Sequence, residues 1–142
     1  MNISTDISIS LLGAGQMGSG IGQVFASAGF SVKIYDLSEE IFGKSRNRID
    51  DSLKKLKAKD MLRESVESVQ QRISYHGNLC DLDSGNIFIE SALENFPTKV
   101  DIFRRLSKIL TPSSLVATNT SSYSITTLSQ MVPWPETFIG FH

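Results

Sequence analysis

The feature that most constrains this chain is a glycine-rich turn near its start, Gly13-Ala14-Gly15-Gln16-Met17-Gly18. An apolar run at 7–12, typical of a buried parallel strand, precedes the turn. Apolar residues at helical spacing follow it: Met17, Ile21, Val24, Phe25 and Ala28. Gly13 permits a tight turn, Gly15 lets the backbone approach a ligand, and Gly18 lets helix and strand pack closely. Because a helix N-terminus favours anions, this pattern predicts a cradle for the pyrophosphate of a dinucleotide.

A second alternating run at 31–36 ends in Asp36, about 20 residues beyond the glycines. An acid at that position accepts hydrogen bonds from the ribose hydroxyls of adenosine. The next residues, Leu37 and Ser38, provide no arginine for a 2′-phosphate, so the pattern favours NAD over NADP. The alternative is that Asp36 is a solvated acid at a strand end, or part of the helix cap at Ser38.

Further apolar runs at 86–91, 115–118 and 138–141 are interpreted as strands, and helical patterns separate them. The alternation predicts an α/β fold: a doubly wound, Rossmann-type, mostly parallel sheet in one domain over 1–142. After the second strand, a helix begins at Ser38 and a second begins at Asp60, which together predict a helical hairpin protruding from the sheet. The stripe of the first helix is Phe42, Ile49, Leu53 and Leu56, and that of the second is Leu62, Val66, Val69 and Ile73. A later helix is expected from about Pro97, with the stripe Val100, Phe103, Leu106 and Leu110.

Positive charge concentrates on this hairpin, at Lys44, Arg46, Arg48, Lys54, Lys55, Lys57, Lys59 and Arg63. A solvated helix face is one explanation, and a phosphate-bearing ligand is the other. Ser52 and Lys59 lie seven positions apart, or two helical turns, so they share a face and can contact one ligand.

Composition narrows the function classes. The net charge of −1 gives no general attraction to nucleic acid or to an anionic membrane. No apolar run approaches the roughly 18 residues of a membrane span, and no secretory signal precedes the first strand. Cys80 is the only cysteine and cannot form an internal disulfide. We expect a cytoplasmic protein and predict no metal ligands.

Ligands of open α/β sheets bind outside the carboxyl ends of the strands. In this chain that rule selects the glycine turn, Asp36, Glu94 and Asn95, the segment at 119–122, and His142. The polar residues of interest are therefore expected at one edge of the sheet.

These residues resemble the NAD-binding domain of the 3-hydroxyacyl-CoA dehydrogenase family. The resemblance extends over nearly the whole chain and depends most on Asn119-Thr120-Ser121-Ser122, followed about 20 residues later by Gly140-Phe141-His142. It implies NAD contacts at Gly13, Gly15, Gln16, Met17, Gly18, Asp36, Ala92, Glu94, Lys99 and Asn119. It also implies acyl-CoA contacts at Ser52, Lys59 and Ser121, with Ser121 and His142 as the catalytic pair.

The chemistry is consistent with those roles. Oxidation of a secondary alcohol needs a base for the hydroxyl proton, and histidine titrates closest to neutral pH. A serine hydroxyl can hold the substrate oxygen as alcohol or as ketone, because it both donates and accepts. Without the resemblance, Ser121 is interpreted as a loop-capping serine and His142 as an ordinary terminal residue.

Members of the family continue past the histidine with a glutamate that orients it and a helical domain that completes the acyl pocket and forms the dimer. We therefore expect a homodimeric whole protein. Because this sequence stops at His142, we expect that helical domain to be absent from this chain. We also expect the chain alone to bind dinucleotide without turnover.

Two other classes stay open from the sequence. One is a non-catalytic dinucleotide-binding or redox-sensing module. The other is a methyltransferase, which also uses a glycine loop and an acid after the second strand, although the Ser121 and His142 segments disfavour it. A related group of β-hydroxyacid dehydrogenases shares the glycine turn but lacks the basic hairpin.

Overall fold

The computed structural model describes residues 7–82 and 85–142. These residues contain six strands: β1 (Ser8–Leu12), β2 (Ser31–Tyr35), β3 (Ile73–His76), β4 (Ile87–Glu90), β5 (Leu115–Thr118) and β6 (Phe138–Gly140). The α-helices are α1 (Gln16–Ser27), α2 (Glu39–Ala58), α3 (Val66–Gln70), α4 (Phe96–Leu106) and α5 (Ile125–Ser129). Short 3₁₀ turns occupy Leu79–Leu82 and Pro135–Thr137.

The strands form one sheet in the order β3-β2-β1-β4-β5-β6, and every neighbouring pair is parallel. The direction of strand addition reverses between β1 and β4, so a topological switch point lies beside the glycine turn. The predicted doubly wound α/β fold is confirmed. Among the described residues, no helix is both long and apolar enough to cross a membrane.

Alternate residues of β1 enter two different cores. Leu11 packs with Phe42, Ile49 and Leu53 of α2 on one face of the sheet. Leu12 packs on the other face, in the cluster that contains Phe103 of α4 and residues of α5. The predicted stripe of α2 is therefore a core stripe, and helices cover both faces of the sheet.

The apolar stripe of α1 is divided between two environments: Ile21 and Phe25 pack against the core, whereas other large side chains face outward. Met17 is 58% exposed and Val24 is 67% exposed, while the buried residues are Gly18, Ser19, Gly22, Gln23 and Ala26. A Cβ added at Gly22 would lie 3.1 Å from the Ile34 side chain. Small residues thus let α1 approach the strands closely, while Met17 and Val24 face outward.

The second arm of the hairpin is shorter than predicted. Asp60 adopts a left-handed conformation (φ 56°) that follows the end of α2, so it does not begin a helix. Ser65 caps α3, and Ile73 belongs to β3, where it pairs with Val32. The prediction of a helical stripe through Ile73 is wrong because pairing with β2 outweighs an apolar spacing that a helix would also produce. In α4 the buried residues include Lys99 and Ile102, and the helix ends at Leu106, before the predicted Leu110.

Candidate functional site

A cleft of about 560 Å³ lies at the carboxyl ends of the strands. Its walls come from the turn after β1, the end of β2, the segment after β4, helix α4 and the segment after β5. Most of the predicted site residues line it: Gly13, Gly15, Gln16, Met17, Asp36, Ala92, Glu94, Asn119 and Ser121. The predicted edge of the sheet therefore gathers the predicted cofactor residues in one place.

Each glycine of the turn has a different steric requirement. Gly13 has a positive φ of 120°, and a Cβ there would lie 2.7 Å from the carbonyl oxygen of Ser91. A Cβ at Gly18 would overlap the carbonyl oxygen of Gly13. At Gly15 no heavy atom of the described residues, apart from its chain neighbours, lies within 4 Å of an added Cβ, so the space above this residue is open. Gly13 and Gly18 therefore permit the packing, and Gly15 leaves room for a ligand.

The turn presents unpaired donors. The N–H of Gly13 donates to the carbonyl of Tyr35 (2.8 Å), and that of Ala14 donates to Asp36 (2.9 Å). The N–H groups of Gly15 and Gln16 donate to no protein group in the described part of the chain. Such donors at the start of a helix favour an anion. The geometry fits a pyrophosphate group.

Asp36 holds the turn and also faces the cleft. Its Oδ2 accepts from the Ala14 N–H, and its Oδ1 accepts from the Leu37 N–H at 2.7 Å. A carboxylate has about four acceptor positions, so both oxygens can accept further bonds from a ligand. This placement is compatible with the predicted contact to ribose hydroxyls.

Lys99 lies beneath the cleft instead of on its wall. Its side chain is 1% exposed, and its ammonium lies 2.7 Å from Glu90 Oε1 and 3.0 Å from Glu94 Oε1. Glu90 is itself fully buried and also accepts bonds from the Ala92 N–H and the Thr118 hydroxyl. We therefore expect Lys99 to act on the cofactor through Glu94, which lines the cleft.

Glu94 is held ionised by this network. Burial by itself raises the pKa of the Glu94 carboxyl, but hydrogen bonds from Lys99 and Thr120 outweigh it and hold the pKa below its usual range. The Thr120 hydroxyl donates to Glu94 Oε2 at 2.8 Å and accepts from two backbone N–H groups of the following turn. The segment that carries Ser121 is therefore tied to the segment after β4.

Sequence reasoning missed Glu90, Thr118 and Thr120 as members of this network. The only signal for Glu90 was an acid at the end of an otherwise apolar strand. The threonines had no signal of their own, because their partners come from strands that are distant in sequence.

Ser121 and His142 follow neighbouring strands. Thr118 of β5 is in register with Gly140 of β6, and the Phe141 N–H donates to the Thr118 carbonyl at 2.9 Å. Ser121 and His142 thus extend beyond paired strand ends, and both are exposed. Ser121 lines the cleft, whereas His142 does not.

A second depression, which we call the α1–α2 groove, has a volume of about 660 Å³. Its walls are the outward apolar face of α1, part of α2, and the segment after β6: Gln16, Met17, Ser19, Gly20, Ile21, Gln23, Val24, Phe25, Arg48, Ile49, Ser52 and Phe141. Gln16 and Met17 also line the cleft, so the two depressions meet at the glycine turn. The predicted residue Ser52 lies in the groove, and Lys59 lies beyond it at the end of α2.

The cations of α2 fall into two groups. Lys44, Lys54 and Lys57 bond to Glu40, to Asp50 and to backbone carbonyls, and Arg46 stacks on Tyr75 at 4.5 Å from the ring centroid. Arg48, Lys55 and Lys59 are exposed and have no partner in the described part of the chain. These three residues and Ser52 recur at spacings of four, three and four, so they share one face of the helix.

Open space above Gly15, unpaired N–H groups beside it and an acid at the end of β2 define a dinucleotide-binding domain of the doubly wound class. Residues 8–142 match the family model described as "3-hydroxyacyl-CoA dehydrogenase, NAD binding domain". The chain therefore belongs to the 3-hydroxyacyl-CoA dehydrogenase family, as the resemblance predicted, and NAD is its cofactor.

Individual relatives agree with the family model. A Deinococcus radiodurans protein, "Probable 3-hydroxybutyryl-CoA dehydrogenase", is 39% identical over 132 residues, which cover 93% of this chain and 48% of that protein. Human mitochondrial hydroxyacyl-coenzyme A dehydrogenase is 32% identical, over 94% of this chain and 45% of its own. The crystal structure of (S)-3-hydroxybutyryl-CoA dehydrogenase PaaH1 from Ralstonia eutropha has a TM-score of 0.90 at 35% identity, covering 95% of this chain and 48% of that one. The chain thus spans about half the length of these relatives.

Proposed function

We propose that this chain is the NAD-binding half of an enzyme that interconverts 3-hydroxyacyl-CoA and 3-ketoacyl-CoA by hydride transfer. Relatives named for 3-hydroxybutyryl-CoA and for hydroxyacyl-coenzyme A support the substrate class. The family assignment disfavours the methyltransferase alternative, since the matched model describes an NAD-binding domain.

The observation that carries this proposal is the meeting of two depressions at Gln16 and Met17. One is the dinucleotide cleft, which holds Ser121 and Asn119. The other is the α1–α2 groove, whose wall ends at Phe141, the neighbour of His142. A substrate that lies along the groove reaches the cleft at the segments that carry Ser121 and His142.

Bound NAD supplies the hydride acceptor for the substrate carbon. His142 takes the hydroxyl proton as general base in oxidation and returns it in reduction. Ser121 holds the substrate oxygen, donating to the ketone and accepting from the alcohol. With NAD as the hydride acceptor, the remaining proton would go to the His142 imidazole, so the exchange would balance. Both residues remain predictions from the family pattern, supported by their positions after β5 and β6.

The same-face residues of α2 provide a place for the phosphates of coenzyme A. Arg48 and Ser52 line the groove, and Lys55 and Lys59 continue the face toward the end of the helix. Their side chains do not have to leave protein partners before they bind a ligand. This arrangement favours the phosphate-binding explanation of the basic helix over a merely solvated face.

The remaining predictions concern the whole protein. We propose that residues 1–142 form its cofactor domain, and that a helical domain completes the acyl pocket and forms a homodimer in the cytoplasm. Relatives about twice as long as this chain support a further domain. Activity of the whole protein on acyl-CoA substrates of graded length would measure its acyl chain preference, and a matched carrier-protein substrate would measure its preference for coenzyme A.

Calorimetric titration of the chain with adenosine 3′,5′-bisphosphate and with 3-hydroxybutyryl-CoA tests the coenzyme A site. Lys59→Ala should raise Kd for both probes about threefold to fivefold, the effect of losing one exposed charge contact. Binding should also weaken as salt rises, because the lysines are exposed.

The matched control is Lys54→Ala, on the same helix but already paired with Asp50 at 2.6 Å. It should leave both Kd values unchanged. A chain that binds NADH but neither probe would contradict the acyl-CoA proposal and support the non-catalytic dinucleotide-binding module. Equal losses in Lys59→Ala and Lys54→Ala would show general charge attraction instead of a site.

A further inference from the structure

A chain of three hydroxyl groups runs from the glycine turn into the interface of α1, α2 and β3. Ser19 Oγ lies 2.7 Å from the carbonyl oxygen of Gly15 and 3.2 Å from that of Ala14. Ser45 Oγ lies 2.8 Å from Ser19 Oγ, and Tyr75 Oη lies 3.1 Å from Ser45 Oγ. Ser19 is 2% exposed and Ser45 is fully buried, so solvent does not compete for these bonds.

Ser19 Oγ is within donating distance of three acceptors, the two carbonyl oxygens and Ser45 Oγ, but it has one proton. A carbonyl oxygen only accepts, so the turn is bonded to Ser19 only when that proton is on the carbonyls. In that arrangement Ser45 donates to Ser19, and Tyr75 donates to Ser45. Burial raises the pKa of the Tyr75 phenol, against smaller opposite effects from Ser45 and Arg46. Aligned hydroxyl groups polarise one another and strengthen each bond.

The anchored carbonyls determine where the turn directs its donors. None of the peptide bonds in the described segments is cis. In a planar trans peptide the N–H points opposite to the carbonyl. Holding the Ala14 carbonyl on Ser19 therefore turns the Gly15 N–H away from Ser19, and holding the Gly15 carbonyl there does the same for the Gln16 N–H. Gly15 and Gln16 both line the cleft, and their N–H groups have no protein partner in the described segments.

We infer that Ser45 and Tyr75 are positioning residues for the dinucleotide: they hold Ser19 on the two carbonyls and so aim the phosphate-binding N–H groups into the cleft. Neither residue lines the cleft. Ser45 lies on α2 and Tyr75 on β3, outside the glycine motif. The Tyr75 ring is fixed by Phe42, at 5.3 Å between centroids, and by the Arg46 guanidinium. The inference rests on NAD as cofactor and adds a dependence of pyrophosphate binding on these two distant hydroxyls.

Three variants of this chain shorten the hydroxyl chain step by step: Ser19→Ala, Ser45→Ala and Tyr75→Phe. Titration with ADP-ribose, which carries the pyrophosphate, should show Kd rising about tenfold, about fivefold and about twofold in that order. Adenosine, which has no phosphate, should bind each variant as it binds the unchanged chain. Tyr75→Phe keeps the packed ring and removes a single oxygen, so it tests the inference even if the serine variants fold poorly.

Ser10→Ala is the matched control. Ser10 is also a fully buried serine, its hydroxyl has no partner among the described residues, and it lies outside the hydroxyl chain. This variant should bind ADP-ribose unchanged. Unaltered ADP-ribose affinity in Ser45→Ala and Tyr75→Phe would overturn the inference, and so would an equal loss of adenosine affinity. An unchanged chain that binds adenosine but no ADP-ribose would overturn both the cofactor site and the inference.

Discussion

The dinucleotide cleft and the α1–α2 groove both offer positive potential to phosphates, but they build it differently. In the cleft the donors are backbone N–H groups beside Gly15, held in place by buried bonds to Asp36 and Ser19. In the groove the donor is the long side chain of Arg48, and Lys55 and Lys59 continue the same helix face beyond the groove. Nothing in the described part of the chain holds these three side chains. One site is preorganised, and the other must order its side chains when a ligand binds.

This difference predicts which residues should be the most sensitive to mutation. Side-chain truncation does not remove donors that belong to the backbone, so in such variants the cleft depends on the buried groups that orient it. The exposed lysines beside the groove can each be removed at small cost, and salt screens them. Buried supports around the cleft should therefore show large effects, and exposed charges of the groove small ones.

The largest expected effect comes from the buried ion pair under the cleft. Lys99→Met leaves the Glu90 carboxylate buried without its cation, which should lower the free energy of unfolding by about 3–5 kcal/mol. Lys54→Met breaks an exposed pair with Asp50 and should cost far less, because solvent screens that pair. Urea unfolding of the two variants measures the contrast.

The double variant Glu90→Gln with Lys99→Met shows whether the cost of Lys99→Met comes from a buried carboxylate without its cation or from the lost attraction between the two charges. Because it also removes the unpaired carboxylate, it should be more stable than Lys99→Met alone. If the losses in free energy of unfolding for Lys99→Met and Lys54→Met agreed within about 1 kcal/mol, burial would not distinguish the two ion pairs.

The next effect concerns cofactor affinity. Asp36→Ala removes the acceptor of the Ala14 N–H and the predicted acceptor of the ribose hydroxyls. NADH binding, followed by fluorescence titration, should weaken by about 1.5–3 kcal/mol, the value of hydrogen bonds to a charged group. Lys59→Ala, at the far end of α2, should leave NADH affinity unchanged. Equal or tighter binding of NADPH by the unchanged chain would count against the preference for NAD.

The comparison also explains what could be predicted from the sequence. The glycine turn, Asp36 and the segments after β4 and β5 were placed correctly at the cleft, because each follows a strand with a clear apolar pattern. The burial of Lys99 was not predictable, since the residue type alone does not distinguish a buried lysine from an exposed one. Its burial follows from facing Glu90 across the start of α4.

Errors in the fold arose where one apolar spacing serves two structures. Ile73 continued the stripe of Val66 and Val69, yet pairing with β2 makes it a strand residue. Met17 and Val24 marked α1 as a helix correctly, but their spacing did not show that the close approach to the sheet buries Gly18 and Gly22 instead. The hydroxyl chain could not be predicted from the sequence for another reason: Ser19, Ser45 and Tyr75 come from elements that only the folded structure brings together.

The smallest expected effect on stability comes from adding one methyl carbon in each depression, which sharpens the comparison. Gly15 and Gly20 both leave open space for a Cβ, but Gly15 precedes α1 as its N-cap and Gly20 lies within the helix. Alanine is a poorer N-cap than glycine, so Gly15→Ala should lose up to about 1 kcal/mol of stability. Gly20→Ala should gain about 0.5–1 kcal/mol, because alanine costs less backbone entropy inside a helix.

Dinucleotide affinity should separate these two variants further. The Cβ of Gly15→Ala enters the space above the turn, so Kd for NADH should rise at least about tenfold, whereas Gly20→Ala should bind NADH as the unchanged chain does. Thermal unfolding and NADH titration of both variants supply the measurement. If Gly15→Ala bound NADH normally, the pyrophosphate would not lie over Gly15, and the open space there would need another explanation.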